Sequence, residues 1–287
     1  YKRQKQIINF SAPVSNVVGV DASPIGKSTR STVATYTSIM NNLRRLIASQ
    51  PLAEEKHFTS TYFSYNNKQG ACSTCGGTGI VTLDIQFLLD MQQVCPTCHG
   101  DRYNQKVQQV KWQGMSIVDI LNLDIDGALP LFKRVPKIER ELKLLKEVGL
   151  DYLHLGESTP TLSGGEAQRL KLVTHLSHKQ SDTLFVFDEP TISLHPLDVK
   201  TLVKVMQKLL DQGAILITIT QDLNLIANCD YIIDLGPQSG NNGGQIVASG
   251  RVMDLIKDPH SLTTQYLADY CRKFDMFKDN NLSLIHI

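Results

Sequence analysis

Two neighbouring carboxylates, Asp188 and Glu189, end an apolar run of Leu184, Phe185, Val186 and Phe187. Four apolar residues in succession read as a strand buried on both faces, the habit of parallel sheets. Acids at the carboxyl end of such a strand lie where open α/β sheets hold their ligands. Upstream, Leu162-Ser163-Gly164-Gly165-Glu166 reads as a tight turn opening a helix. Gly164 and Gly165 let the backbone approach a phosphate, and the free N–H groups of the helix point toward it. A second chemistry is carried by sulfur. Cys72 and Cys75 are followed, after nineteen residues, by Cys95 and Cys98. Each Cys-x-x-Cys closes a turn offering two sulfurs, so the two pairs suit tetrahedral thiolate coordination of one zinc ion. Gly76, Gly77, Gly79 and Gly100 supply the turn freedom, and a redox dithiol would need only one pair. His99 reads as a bystander, because four sulfurs already fill the site. Lys68, Arg102, Tyr103 and Lys106 flank the knuckles; they suit either contact with nucleic acid or a solvated charged rim.

One further candidate fails on spacing. Gly26-Lys27-Ser28 imitates the end of a phosphate-binding P-loop, but the position five residues before Gly26 holds Asp21 instead of glycine. Pro24 also removes a backbone N–H from the cradle. The chain contains no other Gly-x-x-x-x-Gly-Lys-[Ser/Thr], so it is not expected to bind ATP in the ordinary way by itself.

The elements that must position these residues alternate. A strand region over 7–20 is followed by an amphipathic helix over 35–48, with Ile39, Leu43, Leu46 and Ile47 on one face and Arg44 and Arg45 outside. Phe58–Asn66 is aromatic-rich and reads as extended, and the segment between the knuckles reads as a strand or hairpin arm. Residues 114–132 form a small apolar subdomain. Pro136 opens a helix with Ile138, Leu142, Leu145 and Val148 along one side, capped by Gly149. Beyond the acids, Pro196 seeds a helix ended by Gly213, and Ala214–Thr220 reads as another buried strand with Gln221 at its carboxyl end. A short helix over 222–228, a strand at 231–236 and a hairpin edge at 243–250 complete a largely parallel α/β sheet.

With 287 residues, 41% hydrophobic and 20% charged, the chain suits one large domain or a domain with an insert. A net charge of +1 neither demands nor excludes a nucleic-acid partner. No apolar run approaches the ~18–20 residues of a membrane span and no secretory signal opens the chain, which points to a cytoplasmic protein without a membrane partner. Cys229 and Cys271 stand alone and read as small buried hydrophobes. Tyr1 in place of methionine suggests a start inside a longer protein, and Leu282–Ile287 resembles a translated sequencing-adapter oligonucleotide.

In order and spacing, LSGGEAQR followed by the apolar run and Asp188-Glu189 resembles the signature and Walker B motifs of an ABC-type ATPase. With VDASPIG, CSTCGG, CPTCHGDRYN, DEPTISLH and DYIIDLGP, the chain to about Leu267 is similar to the UvrA family of excinuclease ABC proteins. VDASPIG and DYIIDLGP place it with that family's C-terminal nucleotide-binding domain. The resemblance implies an ABC-type, mostly parallel sheet lacking its P-loop part, with an inserted zinc-binding module. The implied boundaries are 1–50, the start of the nucleotide-binding domain; 51–110, the zinc insertion; 111–160, a helical signature subdomain; 161–275, the ATPase core; and 276–287, a disordered or artefactual tail.

The resemblance also implies roles. Glu189 would be the general base on water, and Asp188 would hold Mg2+ through water. Ser163, Gly164 and Gly165, with Glu166 beside them, would close over ATP bound at an opposing P-loop, and the module would hold Zn2+ at Cys72, Cys75, Cys95 and Cys98. The implied partners are damaged duplex DNA, a second copy of the chain, and excision-repair helicase and nuclease subunits. Two departures stand out: Ala22 replaces a Mg2+-linked glutamine, and Gln221 replaces a switch histidine. His195 is a poor substitute, since it belongs to the family's own loop pattern. Three readings stay open: a damage-recognising ATPase, a UvrA-like ATP-gated binding or resistance protein with weak hydrolysis, and a transporter ATPase, which the cysteine module disfavours.

Overall fold

A computed structural model of the chain describes residues 14–26, 28–83, 91–176, 179–192, 194, 196–237, 243–257 and 261–273. In chain order its elements are β1 (Asn16–Val20), α1 (Val33–Tyr36), α2 (Ile39–Ala48), α3 (Pro51–Glu55), β2 (Ile80–Leu83), β3 (Met91–Val94) and α4 (Gln105–Gln108). There follow β4 (Lys111–Trp112), β5 (Met115–Ser116), α5 (Ile117–Leu121), α6 (Ile125–Leu131), α7 (Pro136–Glu147), a 3-10 turn (Thr159–Thr161) and α8 (Gly164–Val173). The last are β6 (Thr183–Asp188), α9 (Pro196–Asp211), β7 (Ile215–Ile219), α10 (Leu223–Ala227), β8 (Tyr231–Gly236), β9 (Gln245–Arg251), α11 (Val252–Lys257) and α12 (Leu262–Lys273). The chain divides into two compact units: Tyr1–Asp21 with Lys179–Ile287, and Ala22–His178. α8 falls in the second unit together with the cysteine module. Among the described residues no helix is long and apolar enough to cross a membrane.

In the first unit β1, β6 and β7 form a parallel sheet with β6 in the centre. Leu184, Phe185 and Phe187 are buried, as expected of a strand covered on both faces. The α9 residues Leu202, Val205, Met206 and Leu209 are buried too, and Gly213 leaves the helix at φ 92. β8 and β9 pair antiparallel, and Ile232 and Ala248 share a core with Ile226, Val252, Leu255 and Leu267. The expectation of a buried β7 is corrected: Ile215, Ile217 and Ile219 are 38, 47 and 53% exposed. Among the described residues β7 pairs only with β6, so its apolar sequence lies on a sheet edge.

The second unit is mainly helical. The helix expected over 35–48 is two helices, α1 and α2. The Thr37 hydroxyl and N–H both bond Val33 O, and Ser38 sits at φ 63. Hydroxyl side chains that satisfy backbone groups locally compete with helix continuation. Ile39, Leu43 and Ile47 are buried, while Leu46 and Arg44 are half-buried and Arg45 is exposed. The stretch 58–66 is a chain of turns instead of an extended segment, with Tyr62 N–H bonded to Thr59 O and Ser64 N–H to Thr61 O. Its rings decide this: Phe63 and Tyr65 are buried, and Phe58 stacks on Tyr62 at 4.4 Å. On α7, Ile138, Leu142 and Leu145 are buried together with Val148, and Gly149 follows at φ 71. The expectations on 7–13, Lys27, 84–90, His195 and 276–287 lie outside the described residues.

Candidate functional site

The sulfur cluster is built from two like turns on one hairpin. β2 and β3 pair antiparallel with Ile80 opposite Val94, and Cys95 N–H bonds Gly79 O at 2.9 Å. In each knuckle an N–H four residues on, from Gly76 or His99, returns to the carbonyl of Cys72 or Cys95. Thr74 and Thr97, at matching positions, bond each other at 2.7 Å. The four cysteine sulfurs lie within 4.8 Å of one another, with Cys72–Cys95 at 3.8 Å and Cys75–Cys98 at 3.6 Å. A tetrahedron with Zn–S bonds of about 2.3 Å has edges of about 3.8 Å, so the spacing fits zinc. Such an ion would supply structural cross-linking, since four thiolates leave it no open position.

The electrostatics agree with that chemistry. At Cys95 burial opposes ionisation, yet the N–H groups of Cys98 and Thr97 pull the thiol down to about 6. At Cys75 burial is likewise outweighed, by the N–H groups of Gly79 and Gly77. Burial pushes Cys98 up to about 12, aided by the neighbouring sulfurs. Thiolates this close repel one another, and a divalent cation is what lets all four ionise. His99 is exposed and stands outside the sulfur group. Cys229 is half-buried and Cys271 buried, and burial raises both thiols.

Of the four residues that flank the knuckles, which suited either nucleic-acid contact or a solvated rim, Tyr103 and Arg102 are engaged within the unit. Tyr103 is buried, with its hydroxyl donating to Phe63 O at 3.0 Å, and burial raises it well above the usual phenol range. Arg102 turns onto Ser158, its guanidinium donating to the hydroxyl at 2.9 Å. Lys68 and Lys106 are exposed.

In the same unit, Ser163 caps α8 through a reciprocal capping box: its hydroxyl accepts from Glu166 N–H at 3.3 Å, and its own N–H donates to Glu166 Oε2 at 2.7 Å. The Ser163 hydroxyl also supports the Glu166 carboxylate, so the two side chains hold each other at the helix start. Tyr152, which sequence reasoning missed, donates to Glu166 Oε1 at 2.7 Å. Burial opposes the Glu166 charge, but Tyr152, Ser163 and Arg169 outweigh it and hold the carboxyl below its ordinary range. The Ser163-x-x-Glu166 spacing signals the box; no local pattern marks Tyr152. Buried Arg169 donates to Gly165 O at 3.4 Å and Gly149 O at 3.2 Å, tying α8 to the end of α7. A Cβ on Gly164 would lie 3.0 Å from Ala22 Cβ, so this glycine also serves a close approach within the unit.

In the other unit, Asp188 is the last residue of β6, opposite Ile219, and Glu189 N–H bonds Ile219 O at 2.8 Å. Glu189 holds φ 44, a conformation uncommon outside glycine and frequent at functional sites. Asp188 is exposed and Glu189 half-buried. Gln221 follows β7 at this same carboxyl end and is exposed. The structure thus gathers the cysteines into one group, Ser163–Glu166 at one helix start, and Asp188, Glu189 and Gln221 at one sheet end. Among the described residues the first helix after Gly26 begins at Val33, so the imitation P-loop lacks the adjoining helix start that a phosphate cradle needs.

No protein-family model matches the chain. The UvrABC system protein A of Aquifex aeolicus (strain VF5) is 42% identical over 261 residues, covering 91% of this chain and 28% of that protein. The namesake in Bacillus subtilis (strain 168) is 42% identical over 256 residues, covering 88% and 27%. Among solved structures, UvrA2 from Deinococcus radiodurans superposes with a TM-score of 0.84 at 40% identity, covering 89% of this chain and 32% of that one. The chain spans between a quarter and a third of the length of these relatives. Identity at this level along nine-tenths of the sequence, with a matching fold, shows that the chain belongs to the UvrA family.

Proposed function

We propose that this chain is the part of an ATP-hydrolysing, zinc-containing DNA-binding subunit that carries the signature turn and the catalytic carboxylates, in a protein that recognises damaged DNA for nucleotide excision repair. The observation that carries the reading is the pair Asp188–Glu189 at the carboxyl end of a central parallel strand, in a UvrA-family chain. Glu189 orients the attacking water as general base, and Asp188 holds Mg2+ through water. Ser163, Gly164, Gly165 and Glu166 close over the γ-phosphate of ATP bound at an opposing P-loop, with Gln221 as a phosphate contact. The segment corresponds to a C-terminal nucleotide-binding domain, and the exposed β7 isoleucines, which alternate along one face of the strand, suit an apolar cover over that face. Its partners are damaged duplex DNA, a second copy of the protein, and repair helicase and nuclease subunits.

The test is made in a longer protein containing this chain. Glu189→Gln is expected to bind ATP but lower turnover by at least about 100-fold, the scale of losing a general base. Binding to damaged duplex is expected to exceed binding to undamaged duplex. Unchanged hydrolysis would remove the role of Glu189, and equal DNA affinities would remove the repair reading. A weakly hydrolysing, ATP-gated binding or resistance protein is the second reading, favoured by Ala22 and Gln221. Gln221→His raises turnover in the first case and leaves it unchanged in the second.

A further inference from the structure

The second knuckle carries an arginine that sulfur chemistry does not use. Arg102 holds φ 70, which side-chain-bearing residues seldom adopt. That conformation lets its carbonyl accept the Cys72 N–H at 2.8 Å while the side chain turns away from the sulfurs. The guanidinium donates to Ser158 Oγ at 2.9 Å and lies 5.4 Å from the centre of the Tyr65 ring. Ser158 Oγ in turn donates to Thr29 O at 3.1 Å, and Tyr65 OH to Arg30 O at 3.0 Å. From the other side, Arg30 donates to Gly76 O of the first knuckle at 2.9 Å. Ser158 immediately precedes the 3-10 turn that runs into Leu162 and Ser163. One side chain therefore joins the cysteine cluster to the segment leading into the signature turn. A rim arginine waiting for DNA would leave its guanidinium free, whereas this one is engaged by Ser158 and the Tyr65 ring.

We infer that Arg102 is a positioning residue coupling metal occupancy at the four cysteines to the order of the Ser163 turn. With the metal bound, Cys72 and Cys98 are fixed. The Cys72 N–H bond and the Asp101 N–H bond to Cys98 O, at 2.9 Å, then hold the Arg102 backbone, and the guanidinium anchors Ser158. Without the metal the knuckle loosens, Ser158 loses its cationic donor, and the entry to the turn frays. The inference rests on the zinc reading but not on ATP hydrolysis, and its test separates the two.

Co2+ is bound to the full chain in place of zinc, so that its thiolate charge-transfer and d–d bands report the sulfur site directly. Amide exchange across 158–166 is then followed by mass spectrometry with the metal bound and after chelation. In the unsubstituted protein chelation is expected to speed exchange about tenfold, the scale of one lost charge-assisted bond. Arg102→Met should keep the cobalt bands yet exchange fast with metal bound, so that chelation adds under about twofold. Ser158→Ala cuts the same link without touching the knuckle and should behave alike, while Arg102→Lys should restore part of the protection. Equal chelation factors in the unsubstituted protein and Ser158→Ala, or slow exchange in metal-bound Arg102→Met, would overturn the coupling while leaving the metal site standing. Absence of cobalt bands in the unsubstituted protein would overturn the zinc reading and the coupling with it.

Discussion

Replacing Gly77 by alanine would place a Cβ 1.9 Å from the Tyr65 carbonyl oxygen, 2.9 Å from its carbon and 3.4 Å from Ala71 Cβ. The obstructing atoms are backbone, so no rotamer change relieves the clash. Gly77 also holds φ 88, which costs a residue with a Cβ about 1–2 kcal/mol before any contact is counted. Displacing the backbone adds roughly 1–3 kcal/mol, the usual range for overpacking. Because Gly77 N–H supports the Cys75 sulfur, the displacement falls on a metal ligand. Gly114 isolates the first cost: it holds φ 83 in the tight turn between β4 and β5, and a Cβ added there would meet nothing within 4 Å. Gly114→Ala should therefore cost only the conformational part, about 1–2 kcal/mol in urea unfolding, and leave zinc affinity unchanged. Gly77→Ala should cost about 2–5 kcal/mol and weaken zinc roughly 5- to 150-fold in competition with a chromophoric chelator, taking the 1–3 kcal/mol clash as falling on the site. Equal zinc affinity and equal urea midpoints for the two variants would refute this account of the knuckle.

Metal analysis should find one zinc per chain, lost in Cys98→Ser, with proteolysis then focused on 66–104; a folded, zinc-free protein would remove the site. Stabilisation by Tyr152 and Glu166 should depend on pH in a definite direction. The folded Glu166 carboxyl titrates below its ordinary 4.5, so its contribution is complete above 4.5 and is lost as pH falls through the lower folded value. Tyr152→Phe should therefore cost under about 1 kcal/mol at neutral pH, since the bond is exposed, and the difference should shrink steadily as pH falls below 4.5. A difference that grows on acidification would contradict the assignment.

Much of this molecule was legible because its signals are local. The apolar run 184–187 identifies a central strand, the spacing of Ile138, Leu142 and Leu145 gives the buried face of α7, and each Cys-x-x-Cys specifies its own turn. What the sequence by itself determined was thus the family, the ligand types and the ends of strands and helices. The side-chain directions came from partners far along the chain. Arg102 turns onto Ser158, 56 positions away, which accepts from it, and Tyr103 is buried because Phe63 O, 40 positions away, satisfies its hydroxyl. Composition near the knuckles could not distinguish those two residues from the exposed Lys68 and Lys106. β7 carries the sequence of a buried strand, yet among the described residues it pairs only with β6 and its Ile215, Ile217 and Ile219 face is exposed, since burial depends on what covers a face and a strand's own residues record only the cover they suit. The convergence of four sulfurs to within 4.8 Å was likewise decided by the β2–β3 register, which sets one knuckle against the other.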